Sequence, residues 1–331
     1  MRRFVCYTQA SMPTEGDERE GRRAVRPVAI VGPTAVGKTA VGIEVAERLQ
    51  AEIISADSMA IYRGMDIGTA KPAPEEREQV RFHMLDVVDP DQPFTVAHFQ
   101  RMAADIMEGL LAAGRCPLLV GGTGLYVRAV LDGLDIPSAG PDPQFRRRMS
   151  ELAETRGRQH VHDMLGRADA LTAARLHPND LKRVIRALEV YERTGLPMSQ
   201  LHRRLQAQQP MYPEAVRFGL TMDRRALYER IERRVDEQVQ RGLVEEVAAL
   251  LRKGYSTGLP AMQGLGYKEL AAHIEGKRSL EQAIQAVKQS TRRFAKRQLT
   301  WFRADARVEW IDMSGLSPAE AADRITNELR N

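Results

Sequence analysis

Cysteine is nearly absent from this chain: Cys6 and Cys116 are the two in 331 residues. Two thiols supply no disulfide framework and no zinc-ligand spacing, which fits a reducing cytoplasm. The seven histidines show no metal-ligand grouping either, and His83, His98 and His177 read as structural or simply polar. No apolar run approaches the roughly 18 residues that a membrane helix needs. The stretch before Pro27 is charged and lacks the apolar centre of a signal peptide. Residues 1–26 therefore read as a flexible, frayed extension. Internal repeats are missing, and so is the N-K-x-D guanine signature of a GTPase.

What remains is an ordinary globular composition, 43% hydrophobic and 28% charged, long enough for one large domain and a smaller one. Lys and Arg exceed Asp and Glu by 49 to 44, an excess that matters only where the basic residues cluster. Strand and helix patterns alternate early in the chain. Strands are expected at 28–31, 51–56 and 117–120, with helices near 40–49 and 97–113. That alternation predicts an α/β fold, a P-loop NTPase-like doubly wound parallel sheet over residues 27–140. The loop-like PSAGPDP after Ile136 opens a mostly helical, basic inserted domain over residues 141–210. Residues 211–331 return to the core through a strand at 218–222, followed by helices at 225–253, 266–273 and 280–302.

Ligands of such sheets sit beyond the carboxyl ends of the strands, and the motifs fall there. Gly32-Pro33-Thr34-Ala35-Val36-Gly37-Lys38-Thr39 fits G-x-x-x-x-G-K-[ST], a loop whose backbone N–H groups cradle phosphate and whose commonest ligand is a nucleotide such as ATP. Lys38 is expected on the outer phosphates and the Thr39 hydroxyl on Mg²⁺. Asp57-Ser58 ends the second strand, where a carboxylate can bind Mg²⁺ or accept a proton, or else cap a helix. Gly121-Gly122-Thr123-Gly124-Leu125-Tyr126 follows the third strand without the metal-binding acid common in P-loop ATPases. Its glycines would bring backbone close to a ligand, or merely make a turn. Asp223-Arg224 follows the returning strand, where arginine suits a diphosphate. The run from Thr291 to Arg303 interleaves basic and aromatic residues. It reads as a nucleic-acid surface or as a solvated helix face whose Phe294, Gln298 and Trp301 turn to the core.

In this order the motifs resemble the tRNA dimethylallyltransferase family, the isopentenyl-transferring enzymes of tRNA modification. The matching segments are GPTAVGKT, DSMAIYRGMDIGTAKP, HMLDVVDP with FTVAHF, LLVGGTGLY, HPNDLKRVIRALEVY, DRRALYERIERRVDEQVQRGLVEEV, QGLGYKEL and AKRQLTWFR. They cover nearly everything from Val28 to Arg303. The extension before Pro27 and Gln263 depart from the family pattern.

The resemblance implies transfer of a dimethylallyl group from dimethylallyl diphosphate to N6 of adenosine at tRNA position 37, adjacent to the anticodon, with release of diphosphate and help from Mg²⁺. On that reading Gly32, Pro33, Thr34, Ala35, Val36, Gly37, Lys38 and Thr39 grip the donor diphosphate, and Thr39 carries the metal. Asp57 is the general base, with Thr123 and Arg224 assisting the leaving group. The tRNA would meet Asp57, Ser58, Met59 and Ala60; Lys182, Arg183, Val184, Ile185 and Arg186; and Gln263, Gly264, Leu265, Gly266, Tyr267 and Lys268. The inserted domain would clamp the anticodon stem-loop, with the chain acting as a cytoplasmic monomer. An adenylate isopentenyltransferase acting on a free nucleotide is the alternative. A small-metabolite kinase and a non-catalytic RNA-binding module are more distant ones.

Overall fold

The structure is a computed structural model that describes residues 25–136, 140, 142–207 and 209–330. The expected extension lies, except for its last two residues, outside the described residues. The first half of the core runs β1 (Val28–Val31), α1 (Lys38–Leu49), β2 (Glu52–Ser55), α2 (Pro74–Gln79), β3 (Phe82–His83), α3 (Val96–Ala112), β4 (Pro117–Gly121) and α4 (Gly124–Leu131). The insertion follows as five helices: α5 (Pro143–Arg156), α6 (Arg158–Ala168), α7 (Ala170–Ala173), α8 (Leu181–Thr194) and α9 (Met198–Ala207). The chain then returns through β5 (Val216–Thr221), α10 (Arg224–Gln240), α11 (Leu243–Arg252), α12 (Tyr267–Ile274), α13 (Leu280–Arg303), β6 (Val308–Asp312) and α14 (Pro318–Arg330).

Six parallel strands lie in the order β3-β2-β4-β1-β5-β6. The central strands are apolar on both faces, with Ala29 and Ile30 of β1 and Leu118 and Leu119 of β4 fully buried, as a doubly covered parallel sheet requires. One face packs α1, α10, α13 and α14 around Ile30, Val41, Leu227 and Ile325. The other packs α3 and α4 around Val31, Phe99, Leu119 and Val127. After β1 the chain builds toward β3, and with β5 it crosses back over β1. The loop after β1 therefore sits at the switch point of the winding, where crevices open.

The sheet is wider than expected. Its edge strands β3 and β6 are missing from the sequence reading because two residues and a mixed run, VEWID, carry little strand signal. The helix expected at 225–253 is two helices, broken at Gly242, whose φ of 99° no β-carbon tolerates well. Among the described residues no helix is long and apolar enough to cross a membrane.

The insertion has its own core of Phe145, Val161, Leu165, Val184, Ile185 and Leu188. This corrects the expectation that Val184 and Ile185 touch tRNA: they are 0% and 5% exposed, spent on helix packing. Arg186, also expected at the RNA, is drawn to Glu189 (2.6 Å). Arg146 forks onto the same carboxylate with two bonds of 2.8 Å, and the Asp142 backbone N–H donates to it at 2.7 Å. Lys182 and Arg183 do reach the surface.

Glu189 has no exposed side-chain surface. Burial works to raise its carboxyl, but the Arg146 and Arg186 bonds prevail and hold it down to about 2. Because the folded value lies below the unfolded one, near 4.3, this stabilisation is full above about pH 5 and is lost as pH falls toward 2. Glu189→Ala should destabilise the insertion by about 2 kcal/mol or more by stranding two arginines. Hydrogen exchange would then show lost protection in α5 and α8 while β1 and β4 keep theirs; uniform loss would contradict a self-contained unit.

Candidate active site

The loop between β1 and α1 folds as a phosphate cradle for local steric reasons. Gly32 adopts φ 143°, and a β-carbon there would come within 2.5 Å of the Leu220 carbonyl oxygen on β5. Ala35 takes the left-handed region at φ 66°, the kind of strain that accumulates at binding loops. Lys38 at the head of α1 bends back to donate to the Pro33 carbonyl (2.7 Å). Although its stem is partly accessible, its ammonium is closely enclosed. Burial, and then the Arg234 guanidinium, push it down to about 7, with the Asp57 carboxylate opposing.

A cavity of about 360 Å³ opens above this loop, lined by Thr34, Lys38, Thr39, Asp57, Ser58 and Arg234. Gln263, Lys268, Arg297 and Gln298 close its other sides. A neighbouring recess of about 460 Å³ shares Lys38, Thr39 and Arg234 and adds Arg230, Arg233 and Arg241. Burial lowers Arg234 as well, with Asp57 and Glu237 opposing. Two enclosed cations thus share the Asp57 carboxylate, with Glu237 acting on Arg234 as well, and enclosed cations of this kind suit an anionic guest. Lys71 also lines the cavity, but Asp66 (2.6 Å), Asp86 (2.5 Å) and the Tyr62 carbonyl (2.7 Å) consume its charge.

Asp57 follows β2 at the cavity. Its Oδ1 accepts the N–H groups of Met59 (2.8 Å) and Ala60 (3.4 Å), as a cap does, while the side chain faces the cavity. Only one oxygen is used by these bonds, so Oδ2 keeps acceptor capacity.

Several expected residues land elsewhere. The Thr123 hydroxyl is spent on Ser58, accepting its backbone N–H at 3.0 Å and donating to its Oγ at 3.3 Å, which ties the glycine turn to the Asp57 segment. The glycines of that turn approach protein: added β-carbons would lie 2.2 Å from the Ala56 carbonyl oxygen at Gly121, 2.1 Å from Gln298 Nε2 at Gly122 and 2.1 Å from the Trp301 indole at Gly124. Arg224 sits exposed at the start of α10, its Nε donating to the Tyr228 hydroxyl (3.2 Å) with the guanidinium over that ring. It lines neither compartment, whereas Arg234, ten residues along the same helix, lines both. Tyr267 is 1% exposed, and its hydroxyl donates to Glu246 (2.7 Å). Ala60 and Gly266 are likewise buried, and Gly264 is covered by Met59. In that segment Gln263 and Lys268 reach solvent.

Arg234 and Glu246 were missed although each lies within the matching segments, and Gln298 was expected only as a core-facing residue of its helix. Gln298 accepts the Thr34 N–H (2.8 Å) and donates to the Gly122 carbonyl (3.0 Å), joining the phosphate loop to the glycine turn through α13. Glu246 accepts three successive N–H groups, from Asp66, Ile67 and Gly68 (2.9, 2.8 and 3.1 Å), and so fixes the segment that places Ala70 and Lys71 in the cavity wall.

The arrangement has known counterparts. The IPP transferase family model matches residues 60–305, and an isopentenyl transferase model matches residues 25–89. The tRNA dimethylallyltransferase of Desulforudis audaxviator is 51% identical over 91% of this chain and 97% of its own length. The chain belongs to the tRNA dimethylallyltransferase family. The tRNA dimethylallyltransferase of Carboxydothermus hydrogenoformans is 48% identical over 91% of this chain and 95% of its own. Among solved structures, the tRNA isopentenylpyrophosphate transferase of Bacillus halodurans superposes with a TM-score of 0.69 at 43% identity, covering 92% of this chain and 95% of that one. A eukaryotic dimethylallyltransferase acting on tRNA superposes at 0.76 with 26% identity, covering 92% and 79%. Family membership and the parallel sheet agree with the sequence reading throughout.

In this dimethylallyltransferase, anion binding should recharge Lys38. Between pH 7 and the higher value it acquires with an anion beside it, binding takes up a proton, so affinity falls as pH rises through that window. Calorimetry of inorganic diphosphate binding at pH 8 in two buffers should show more proton uptake by the native enzyme than by Lys38→Met, with the difference fading toward pH 6. Equal uptake by both proteins would remove Lys38 from the anion site.

Proposed function

We propose that this enzyme transfers the dimethylallyl group from dimethylallyl diphosphate to N6 of the adenosine at tRNA position 37. The observation that carries this reading is one cavity lined by Lys38, Thr39, Arg234 and Asp57, which shares Lys38, Thr39 and Arg234 with an arginine-rich recess and Arg297 with a second basic cavity. The names of its relatives support the same substrates.

The chemistry forms a bond from N6 to C1 of the dimethylallyl group and breaks the C1–O bond to diphosphate. The N6 proton passes to Asp57, whose Oδ1 is steadied by two backbone N–H groups. The departing electron pair collects on the diphosphate. There Lys38 and Arg234 already line the cavity beside the phosphate loop, and donors held in place before the reaction lower a barrier most effectively. Lys38 enters this role readily, because an arriving anion restores the charge that burial suppresses.

Among the described residues no group of three His, Cys, Asp or Glu could hold a metal by itself. Mg²⁺ does not require one, since it keeps waters and takes one or two protein ligands beside substrate phosphates. Thr39 and Asp57, both in the cavity wall, fit that limited role. When bound, Mg²⁺ would supply charge neutralisation on the diphosphate.

The adenosine must leave its loop to reach this depth, as bases do in other base-modifying enzymes. We place the anticodon stem-loop between the core and the insertion, with the exposed Lys182, Arg183, Gln263 and Lys268 as its contacts, and the enzyme in the cytoplasm as a monomer. A free mononucleotide would need no such surface, which sets the adenylate isopentenyltransferase reading second.

Labelled dimethylallyl diphosphate offered with unmodified tRNA or with AMP should label the tRNA; label in AMP alone would reverse the order of the two readings. Asp57→Ala should lower turnover by about 10²–10⁴-fold while tRNA binding largely survives. An equal loss of both would make Asp57 an RNA contact instead. Arg234→Gln should cost about 10²-fold or more in kcat/KM for the donor, against about 3-fold or less for the exposed Arg224→Gln. The reverse ranking would restore Arg224 to the diphosphate.

A further inference from the structure

A second cavity, of about 1060 Å³, lies between α4, α8 of the insertion and α13. Arg128, Arg183, Arg293, Lys296, Arg297 and Arg307 border it, and Asp305 is the acid in its lining. Arg293, Lys296, Arg297 and Thr300 are all exposed and recur at the spacing of one helix face. Arg293 and Lys296 form no ion pair among the described residues, whereas Arg292, pointing the other way, is paired with Glu232. Arg128, Arg183 and Arg307 are paired with Asp132, Asp180 and Asp305, so the charge left to attract a polyanion is that of Arg293, Lys296 and Arg297 on α13.

Trp301 lies in the wall of this cavity and is 43% exposed. No aromatic residue among the described ones is more open to solvent, and Trp301 belongs to none of the four apolar clusters. Core packing therefore does not explain it. One edge of the indole is nonetheless anchored: the ring lies so close over the start of α4 that a β-carbon at Gly124 would come within 2.1 Å of its Cδ1 and Nε1. The glycine of the G-G-T-G turn makes room for the ring. The result is a rigid aromatic surface presented to solvent inside a ring of cations. That is the combination by which proteins hold unpaired nucleotides, bases stacking on rings while basic side chains meet phosphates.

Position narrows the occupant further. Arg297, one helical turn before Trp301, borders both this cavity and the Asp57 cavity. The two cavities thus share a wall at Arg297, and the second offers room for a base next in the strand to one held beside Asp57. We propose that Trp301 is a stacking platform for an unpaired base flanking the modified adenosine. This rests on the tRNA reading above and assigns a site within it. Duplex RNA hides its base faces and cannot use the platform; a loop or a single strand can.

The test is binding of an anticodon stem-loop RNA without donor, measured over a range of salt concentrations. Trp301→Leu should weaken binding by about 10–100-fold, the range that loss of one base–aromatic stack spans. The slope of log K against log salt should not change, because no phosphate contact is lost. Arg293→Gln with Lys296→Gln should instead flatten that slope. Trp301→Phe should recover most of the affinity, a paired RNA duplex should bind native and Trp301→Leu proteins alike, and the donor KM should hold. In a Trp310→Phe background, stem-loop RNA should quench the remaining indole emission, a readout that leaves Trp301 itself unaltered. Native-like stem-loop affinity in Trp301→Leu, or unquenched emission at saturating RNA, would overturn the proposal. Failure of the tRNA reading would look different: the native enzyme would label AMP and leave tRNA unlabelled.

Discussion

Two enclosed cations that share one carboxylate set the terms for the rest of this molecule. Lys38 feels the Arg234 charge, and burial pushes the pKa of both groups down. Asp57, with Glu237 at Arg234, offsets part of that cost, and in the proposed reaction the same Asp57 carboxylate takes a proton. An arrangement of this kind is stable only if a surrounding framework holds it in place. It is useful because an arriving diphosphate relieves the strain and the departing one carries the charge of the reaction.

Helix α13 is the main beam of that framework. Its Ala295 packs into the sheet face shared with α1, its Phe302 into the face shared with α3 and α4, and between them Gln298 bonds the phosphate loop to the glycine turn. The outward face of the same turns carries Arg293, Lys296 and Arg297. A helix serving the donor loop on one side and a basic cavity on the other links the two halves of the proposed reaction through a single rigid element. Glu246 performs a smaller version of the same task, holding three consecutive backbone N–H groups of the segment that ends in Lys71. In both cases one polar side chain bonds several backbone groups at once, and for Gln298, which is buried, those bonds let it specify one geometry rather than destabilise the core.

How much of this was legible in the chain depends on the range of each interaction. The loop from Gly32 to Thr39 and the cap at Asp57 were readable because their geometry is made within a few residues. The strands β1, β2, β4 and β5 announced themselves as apolar runs, whereas β3 and β6 did not. Arg224 drew attention by following a strand; Arg234 looked like one more base in RIERRVDEQ. Nothing local distinguishes them, and only the packing of α10 turns one to Tyr228 and the other to Lys38. Val184, Ile185 and Tyr267, expected at the RNA, are buried for a related reason, since a contiguous motif on a helix necessarily points some of its members into the core.

By itself, then, the sequence determined what backbone chemistry and hydrophobic pattern can determine: a parallel α/β core, a phosphate loop at its switch point, a helical insertion, and membership in a family whose motifs are contiguous. The tertiary structure decided which side chains share a cavity. It chose Arg234 over Arg224, turned the glycines of G-G-T-G from ligand contacts into clearances for Gln298 and Trp301, and left that tryptophan facing a basic cavity. Such choices depend on residues that lie far apart in the chain, 176 positions between Gln298 and Gly122. They are made when the sheet closes and its helices pack, because only then do those side chains compete for the same space.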